Sequence, residues 1–243
     1  MQKELPKKVL FKNYFNMRWI GIIIALFFLS FQEKPKKIEA VKGKTSYPFW
    51  VQAPKEGEKL PLLLFLHGKS LSGTDLNRVK RYGVLRAIER GRKVDAVVMA
   101  PQLAKGAWNP DKVLELIQYA KENYPVDASR IYVCGMSLGG YGTLHFAGKY
   151  PNELTAAVAI CGGGNITDSF NLAQLPLWII HGAKDFIVPL RESSKVYEAI
   201  KKCMPEADAT FTIEPNGNHG SVERYFHKDV FYDWLFKYIK DKK

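Results

Sequence analysis

Short apolar runs alternate with longer amphipathic stretches along the chain from Lys37 onward. The run Leu60–Leu66 (LPLLLFL) is apolar throughout, which is typical of a parallel strand that is covered on both faces. Two short alternating pieces within 37–51 predict a hairpin at the edge of a sheet. Apolar-rich runs predict further strands at 95–100, 130–134, 154–160, 177–180 and 209–213.

Helical patterns fill the intervals between these strands. They are predicted at 75–89, 110–123, 138–149, 189–203 and 222–239. This alternation predicts an α/β fold, in which a mostly parallel, twisted sheet has helices on both faces. Ligands of such sheets bind at the carboxyl ends of the strands, so the residues that follow each strand are the candidates for chemistry.

The apolar segment Trp19–Phe31 (WIGIIIALFFLSF) stands apart from this pattern. It is shorter than the ~20 residues that a membrane-spanning helix needs, and Arg18 precedes it, as is typical of a secretory signal. We therefore predict that residues 1–32 are a signal peptide, with Met17 as an alternative start, and that one globular domain occupies 33–243. The protein is then expected to be secreted or periplasmic. An uncleaved membrane anchor is the alternative.

Composition narrows the class of protein. The 243 residues carry a net charge of +12, and 47% of them are hydrophobic and 25% charged, which are ordinary globular values. The excess of lysine is interpreted as a solvated surface, because no nucleic-acid-binding motif accompanies it. Cys134, Cys161 and Cys203 form no spaced motif, so the sequence predicts neither a metal site nor a cofactor.

A nucleophile motif follows the strand predicted at 130–134. The sequence GMSLG (135–139) follows this strand directly, and a helix is predicted to begin at Leu138. This G-x-S-x-G pattern between a strand and a helix is that of the nucleophile elbow, whose tight turn needs glycine on both sides of the serine. The helix N-terminus also favours an anion at this point. Ser137 is therefore the candidate nucleophile.

A serine nucleophile needs a base, and the base needs an acid that orients it. Asp185 follows the strand predicted at 177–180. His219 follows the strand predicted at 209–213, within the glycine-flanked sequence NGNHG. The chain order Ser137, Asp185, His219 is the one that the nucleophile elbow predicts, and all three residues follow strand ends. Asp168 and Glu214 are the rival acids.

With these motifs, the chain resembles the α/β-hydrolase family over roughly residues 37–240. The matching segments are LLLFLHG, CGMSLGGYGT, HGAKDFIVP and NGNHG. Within the family it is similar to compact esterases of three kinds: the phospholipase/carboxylesterase type, the feruloyl- and acetyl-xylan-esterase-like group, and propeller-free relatives of prolyl oligopeptidase. The resemblance implies that 33–243 is a catalytic domain with Ser137, Asp185 and His219 as its triad.

The resemblance also implies an oxyanion hole built from two backbone N–H donors. Leu138, directly after the nucleophile, is expected to supply one of them. Lys69 is expected to supply the other, with Ser70 as the alternative, because the sequence HGKS departs from the family's usual H-G-G-G or H-G-x-G. Trp108 follows the strand predicted at 95–100, where it would either line the substrate pocket or serve as a packing anchor.

The connection 161–176 is too short to build a hydrophobic lid, which disfavours a long-chain lipase and favours an open site. We therefore expect a secreted serine hydrolase that cleaves carboxylic esters through an acyl-enzyme, acting on short-acyl or polysaccharide-linked esters. No nucleic-acid partner is predicted, and membrane contact is expected only through an uncleaved N-terminal segment. The alternatives are a serine peptidase related to prolyl oligopeptidase and a non-catalytic binding protein on the same fold.

Overall fold

A computed structural model describes residues 37–54 and 57–240. The predicted signal or anchor at 1–32 lies outside the described residues. Within them, one sheet contains eight strands. These are β1 (Lys37–Val41), β2 (Phe49–Ala53), β3 (Leu60–Leu66), β4 (Val97–Pro101), β5 (Val126–Met136), β6 (Ala156–Ile160), β7 (Leu177–Gly182) and β8 (Ala209–Glu214).

The strand order across the sheet is β1-β2-β4-β3-β5-β6-β7-β8. Strand β3 pairs in parallel with both β4 and β5, and the parallel pairing continues through β6 and β7 to β8. Strands β1 and β2 form the predicted antiparallel hairpin, and β2 joins the sheet antiparallel to β4. The mostly parallel sheet and its edge hairpin are confirmed, and the carboxyl ends of six parallel strands meet at one edge.

The described part of the chain has six α-helices, five between strands and one after the last strand. They are α1 (Val84–Glu89), α2 (Pro110–Asn123), α3 (Leu138–Lys149), α4 (Ser169–Leu172), α5 (Arg191–Cys203) and α6 (Asp229–Phe236). Short 3-10 helices lie at Lys69–Leu71, Leu76–Arg81, Pro151–Glu153, Ile166–Asp168 and Ser221–His227. Among the helices of 37–54 and 57–240, none has the length and apolar character that a membrane span requires.

Two helices that were predicted to be continuous are interrupted in the structure. The helix predicted at 75–89 is divided into a 3-10 helix and α1, and the helix predicted at 222–239 is divided at Lys228. The first break occurs at Gly83, whose φ of +82° is unfavourable for other residues. A Cβ at this glycine would lie 2.2 Å from Cζ of Phe65, so the chain must pass the ring with no side chain.

Strand β3 shows why the core lies on both faces of the sheet. Its alternate side chains point to opposite faces, and Leu62, Leu64 and Leu66 join one buried cluster with side chains of α2, α3 and α5. Leu63 and Phe65 join a second buried cluster with side chains of α1 and α6. The predicted helices on both faces are therefore confirmed.

The loops at the carboxyl edge of the sheet are short where a lid would be inserted. Between β6 and β7 the chain forms only the 3-10 helix Ile166–Asp168 and the one-turn helix α4. This agrees with the expectation that no large lid covers the site.

Candidate active site

Ser137 occupies the sharp turn between β5 and α3. Its φ of 58° and ψ of −121° lie in a region that costs a residue with a side chain ~1–3 kcal/mol. A Cβ on Gly135 would lie 2.3 Å from the carbonyl oxygen of Gly139, and a Cβ on Gly139 would lie 1.8 Å from that of Leu66. Each glycine of the motif thus meets a steric requirement, and the turn presents the serine at the sheet edge.

His219 and Asp185 come together from the loops after β8 and β7. Nδ1 of His219 lies 2.7 Å from Oδ2 of Asp185. The other carboxylate oxygen, Oδ1, accepts the backbone N–H groups of Ile187 and Val188, each at 2.9 Å. The carboxylate is therefore fixed in orientation, and it holds the histidine proton on Nδ1. This leaves Nε2 free to accept a proton.

The environment of Asp185 keeps its carboxylate charged. Burial alone raises the pKa of this carboxyl, but the hydrogen bond from His219 and the backbone N–H of Val188 outweigh it and lower the pKa. The thiol of Cys161 donates a further hydrogen bond that acts in the same direction. Nε2 of His181 also lies 3.3 Å from Oδ2. The carboxylate is thus ionised at neutral pH and can stabilise a positively charged histidine.

Cys161, Asp185 and His219 place three potential metal-ligand atoms within 4.8 Å of one another. In this arrangement the carboxylate already accepts the imidazole N–H and the thiol. Burial also raises the pKa of the Cys161 thiol, which disfavours the thiolate that a metal would bind. The expectation of chemistry without a metal stays a prediction.

The two rival acids lie in other interactions. Both carboxylate oxygens of Glu214 are engaged: Oε2 accepts Arg224 at 2.5 Å, and Oε1 accepts the hydroxyl of Tyr225. The side chain of Asp168 lies against the end of α3, because a Cβ placed on Gly148 would be 2.8 Å from the Cβ of Asp168. Neither is the carboxylate that bonds His219.

The turn after β3 lies beside Ser137, since a Cβ on Gly68 would be 3.1 Å from Cβ of Ser137. The backbone of Gly68 is anchored on both sides, since its N–H donates to Oη of Tyr82 at 2.7 Å and its carbonyl lies 2.8 Å from Nδ1 of His67. Lys69 is the first residue of a 3-10 helix and Leu138 is the first residue of α3, so neither N–H has an acceptor within its own helix. These are the N–H groups that the resemblance to the α/β-hydrolases implies for the oxyanion hole.

A cavity of about 500 Å³ connects these elements, a volume typical of small-molecule sites. Ser137 and His219 both line it, together with the turn at Gly68 and Lys69. The remaining lining residues are Ser70, Tyr82, Met136, Ile187, Gly220 and Glu223. The structure therefore places a serine and an acid-supported histidine on one cavity.

Trp108 lies outside the lining of this cavity. It is 3% exposed, and its indole N–H donates to the carbonyl of His67 at 3.0 Å. Its ring packs edge-on against Tyr47, and a Cβ on Gly142 would lie 2.7 Å from the indole Cδ1. Of the two roles predicted for Trp108, this placement favours the packing anchor.

Several residues at the site did not emerge from the sequence analysis. Tyr82 and Glu223 line the cavity, and Cys161 contacts Asp185. Cys161 directly follows β6. Its position at the carboxyl end of a strand could therefore have identified it as a candidate. Tyr82 and Glu223 lie within predicted helices, and no local pattern marks them.

Comparison with known families places the chain. The model for the family described as Phospholipase/Carboxylesterase matches residues 105–230, which is more than half of the 243 residues. The chain belongs to this family. The match includes Ser137, Asp185 and His219, but not the turn at Gly68 and Lys69.

Relatives and solved structures agree with this membership. Over 125 residues the chain is 28% identical to the bifunctional acetylxylan esterase/xylanase XynS20E of Neocallimastix patriciarum, a match that covers 50% of the chain but 18% of that relative. A thermostable esterase has a TM-score of 0.72 at 25% identity, over 85% of this chain and 63% of its own.

A third comparison shows the fold alone. A mutant of the feruloyl esterase module from Clostridium thermocellum, complexed with sinapinate, has a TM-score of 0.67 at 14% identity. That match covers 86% of this chain and 91% of the module, so the two proteins share one architecture over most of their length.

Proposed function

We propose that the protein is a serine hydrolase that cleaves carboxylic esters through an acyl-enzyme on Ser137. The observation that carries the proposal is the hydrogen bond of 2.7 Å from His219 to the buried Asp185, at a cavity that Ser137 also lines. An acid-supported histidine facing an elbow serine is the arrangement that makes a hydroxyl nucleophilic. Membership of the carboxylesterase family supports the same reaction.

The chemistry follows from the position of each group. Nε2 of His219 removes the Ser137 proton as the serine oxygen attacks the ester carbonyl, and Asp185 stabilises the resulting imidazolium. The carbonyl oxygen becomes an oxyanion, which accepts hydrogen bonds from the N–H groups of Leu138 and Lys69. The imidazolium then gives its proton to the leaving alcohol, and an acyl-enzyme remains. Water, activated by the same histidine, releases the acid and restores the serine.

The substrate class proposed is esters with short acyl groups or esters linked to polysaccharides. The short connection between β6 and β7 supports an open site, which suits a bulky soluble alcohol part. The similarity to an acetylxylan esterase/xylanase supports the same choice. Export through the predicted signal at 1–32 would bring such an enzyme to a polymer outside the cell.

The test is hydrolysis of p-nitrophenyl esters, from acetate to laurate, by the full chain and by Ser137→Ala. We expect turnover of the short esters that is abolished in Ser137→Ala and kept in Ser194→Ala, since the Ser194 hydroxyl donates to the carbonyl of Leu190, the residue before α5. Full activity in Ser137→Ala would contradict the proposal. Cleavage of acyl-peptide amides in preference to esters would replace it with a peptidase, and failure to react with a fluorophosphonate would indicate a binding protein.

A further inference from the structure

The hydroxyl of Tyr82 lies at the cavity next to the nucleophile. Tyr82 occupies the break between the 3-10 helix Leu76–Arg81 and α1, and it lines the same cavity as Ser137. A Cβ on Gly68 would lie 2.6 Å from Oη of Tyr82 and 3.1 Å from Cβ of Ser137. The phenol oxygen and the serine therefore flank one point of the backbone, on the turn that is expected to bind the oxyanion.

The hydrogen bond from Gly68 to the Tyr82 oxygen does not use the phenol proton. The phenol oxygen accepts the N–H of Gly68 at 2.7 Å, and the hydroxyl of Ser70 is a second partner. Both partners lower the pKa of the phenol. The N–H of Gly68 can only donate, whereas a hydroxyl rotates about its C–O bond, so the Tyr82 hydrogen can turn from Ser70 to a ligand in the cavity.

The phenol is neutral and therefore able to donate. Burial is the largest influence on Tyr82 and raises its pKa, and the nearby charge of Glu223 raises it further. A hydroxyl whose oxygen already accepts hydrogen bonds is also polarised, and it becomes a stronger donor. At neutral pH this position thus holds an O–H group, not a phenolate.

The position of the hydroxyl is also held firmly. The N–H of Gly83, the next residue, donates to Oε1 of Glu223 at 3.0 Å, and that oxygen lies 3.1 Å from Nε2 of His227. The ring of Tyr82 packs edge-on against Phe65, with 6.3 Å between the ring centroids. A donor fixed before the reaction stabilises developing charge without reorganising, as an oxyanion hole requires.

We propose that Tyr82 is a further catalytic residue, whose hydroxyl donates a hydrogen bond to the oxyanion that forms at the acyl carbon bound to Ser137. The hydroxyl acts together with the N–H groups of Leu138 and Lys69. This role rests on the proposed function of acyl transfer. As the serine oxygen bonds to the carbonyl carbon, the π-electron pair moves onto the carbonyl oxygen, which then accepts the Tyr82 hydrogen bond. No proton leaves the phenol, and the bond weakens when the carbonyl re-forms.

The first test is Tyr82→Phe, which keeps the ring on Phe65 and removes the hydroxyl. We expect kcat for p-nitrophenyl butyrate to fall about 100-fold, at the low end for loss of one oxyanion donor, with a much smaller change in KM. The matched control is Tyr232→Phe, which removes a buried hydroxyl that donates to the carbonyl of Phe226 at 2.7 Å and does not line the cavity. We expect its kcat to stay at the wild-type value.

A second variant separates donation to the substrate from support of Gly68. Difluorotyrosine at position 82 has a lower phenol pKa, so the hydroxyl ionises within the assay range. A phenolate still accepts the N–H of Gly68 but donates nothing. We therefore expect a new alkaline limb in the kcat profile of the fluorinated protein, and a residue that only positions the turn would not produce it.

The outcomes separate the two proposals. Wild-type kcat in Tyr82→Phe, or no alkaline limb in the fluorinated protein, would overturn the role of Tyr82, while loss of turnover in Ser137→Ala would leave the esterase proposal standing. Full turnover in Ser137→Ala would overturn both.

Discussion

Replacing Asp185 with asparagine tests how the carboxylate controls His219. In the wild-type protein, Oδ1 of Asp185 accepts two backbone N–H groups, from Ile187 and Val188 at 2.9 Å each. In Asp185→Asn the amide oxygen must remain at that position, because an NH₂ group there would face two donors. The amide nitrogen is therefore forced into the place of Oδ2, which lies 2.7 Å from Nδ1 of His219.

This orientation inverts the tautomer of the histidine. The new N–H points at Nδ1, so Nδ1 must accept a hydrogen bond and the ring proton moves to Nε2. A histidine in this form is unable to take the proton of Ser137, and it also loses the negative charge that stabilises its protonated state. The loss expected for such a change is ~10⁴ in kcat, or about 5.5 kcal/mol at ~1.36 kcal/mol per factor of ten.

The assay is steady-state hydrolysis of p-nitrophenyl butyrate at pH 7.5 (roughly a unit above the ordinary pKa of histidine), with thermal unfolding measured in parallel. The control is Asp168→Asn, because Asp168 is the carboxylate that lies against the end of α3 and not against His219. We expect kcat of Asp168→Asn to equal that of the wild type. A folded Asp185→Asn protein with wild-type kcat would show that His219 needs no acid, and the role proposed for Asp185 would be wrong.

Three further predictions concern the framework of the site. Gly139→Ala should lower the free energy of unfolding by about 3 kcal/mol or more in urea titrations, because its Cβ would lie 1.8 Å from a backbone oxygen. Gly220→Ala, whose Cβ would meet nothing closer than 3.8 Å, should unfold like the wild type, and equal stability of the two variants would contradict this account. Trp108→Ala should cost ~3–5 kcal/mol in the same titration, and a loss of activity without a loss of stability would instead indicate contact with substrate. Hydrogen bonds, chiefly from the Ser129 hydroxyl, lower the pKa of Asp127 to about 2. Its charge therefore stabilises the fold above the ordinary carboxyl pKa, and this contribution is lost as pH falls towards 2. Asp127→Asn should be less stable than the wild type at pH 7 (above any ordinary carboxyl pKa), with a difference that shrinks in acid, and a difference independent of pH would contradict the assignment.

Local pattern was enough to predict the sheet and most of its helices. Strand β3 is apolar on both faces because both faces are covered, and the boundaries predicted for α2 and α3 are those found. Helix α2 shows why such boundaries are accessible: the side chain of Asn109 caps its first turn by accepting the N–H groups of Asp111 and Lys112. Signals of this kind lie within a few residues of the boundary that they mark.

Features that depend on distant contacts were not predictable in the same way. The helical pattern at 75–89 is interrupted at Gly83 because the ring of Phe65, on β3, occupies the space beside it. The bond of Gly68 to Tyr82 spans 14 residues, and that of Gly83 to Glu223 spans 140. Such contacts arise only when the fold is complete, which is why Tyr82 and Glu223 carried no signal while Ser137, set in a local motif, did.

Ser137 is proposed to carry the acyl group, and mass spectrometry of the trapped intermediate locates that group on the chain. The full chain would be mixed with p-nitrophenyl acetate, quenched in acid during turnover, digested and examined by mass spectrometry. We predict one acetyl group on the peptide that contains Ser137, and none on the same peptide from Ser137→Ala. An acetyl group on a different residue, with turnover retained in Ser137→Ala, would show that another residue is the nucleophile.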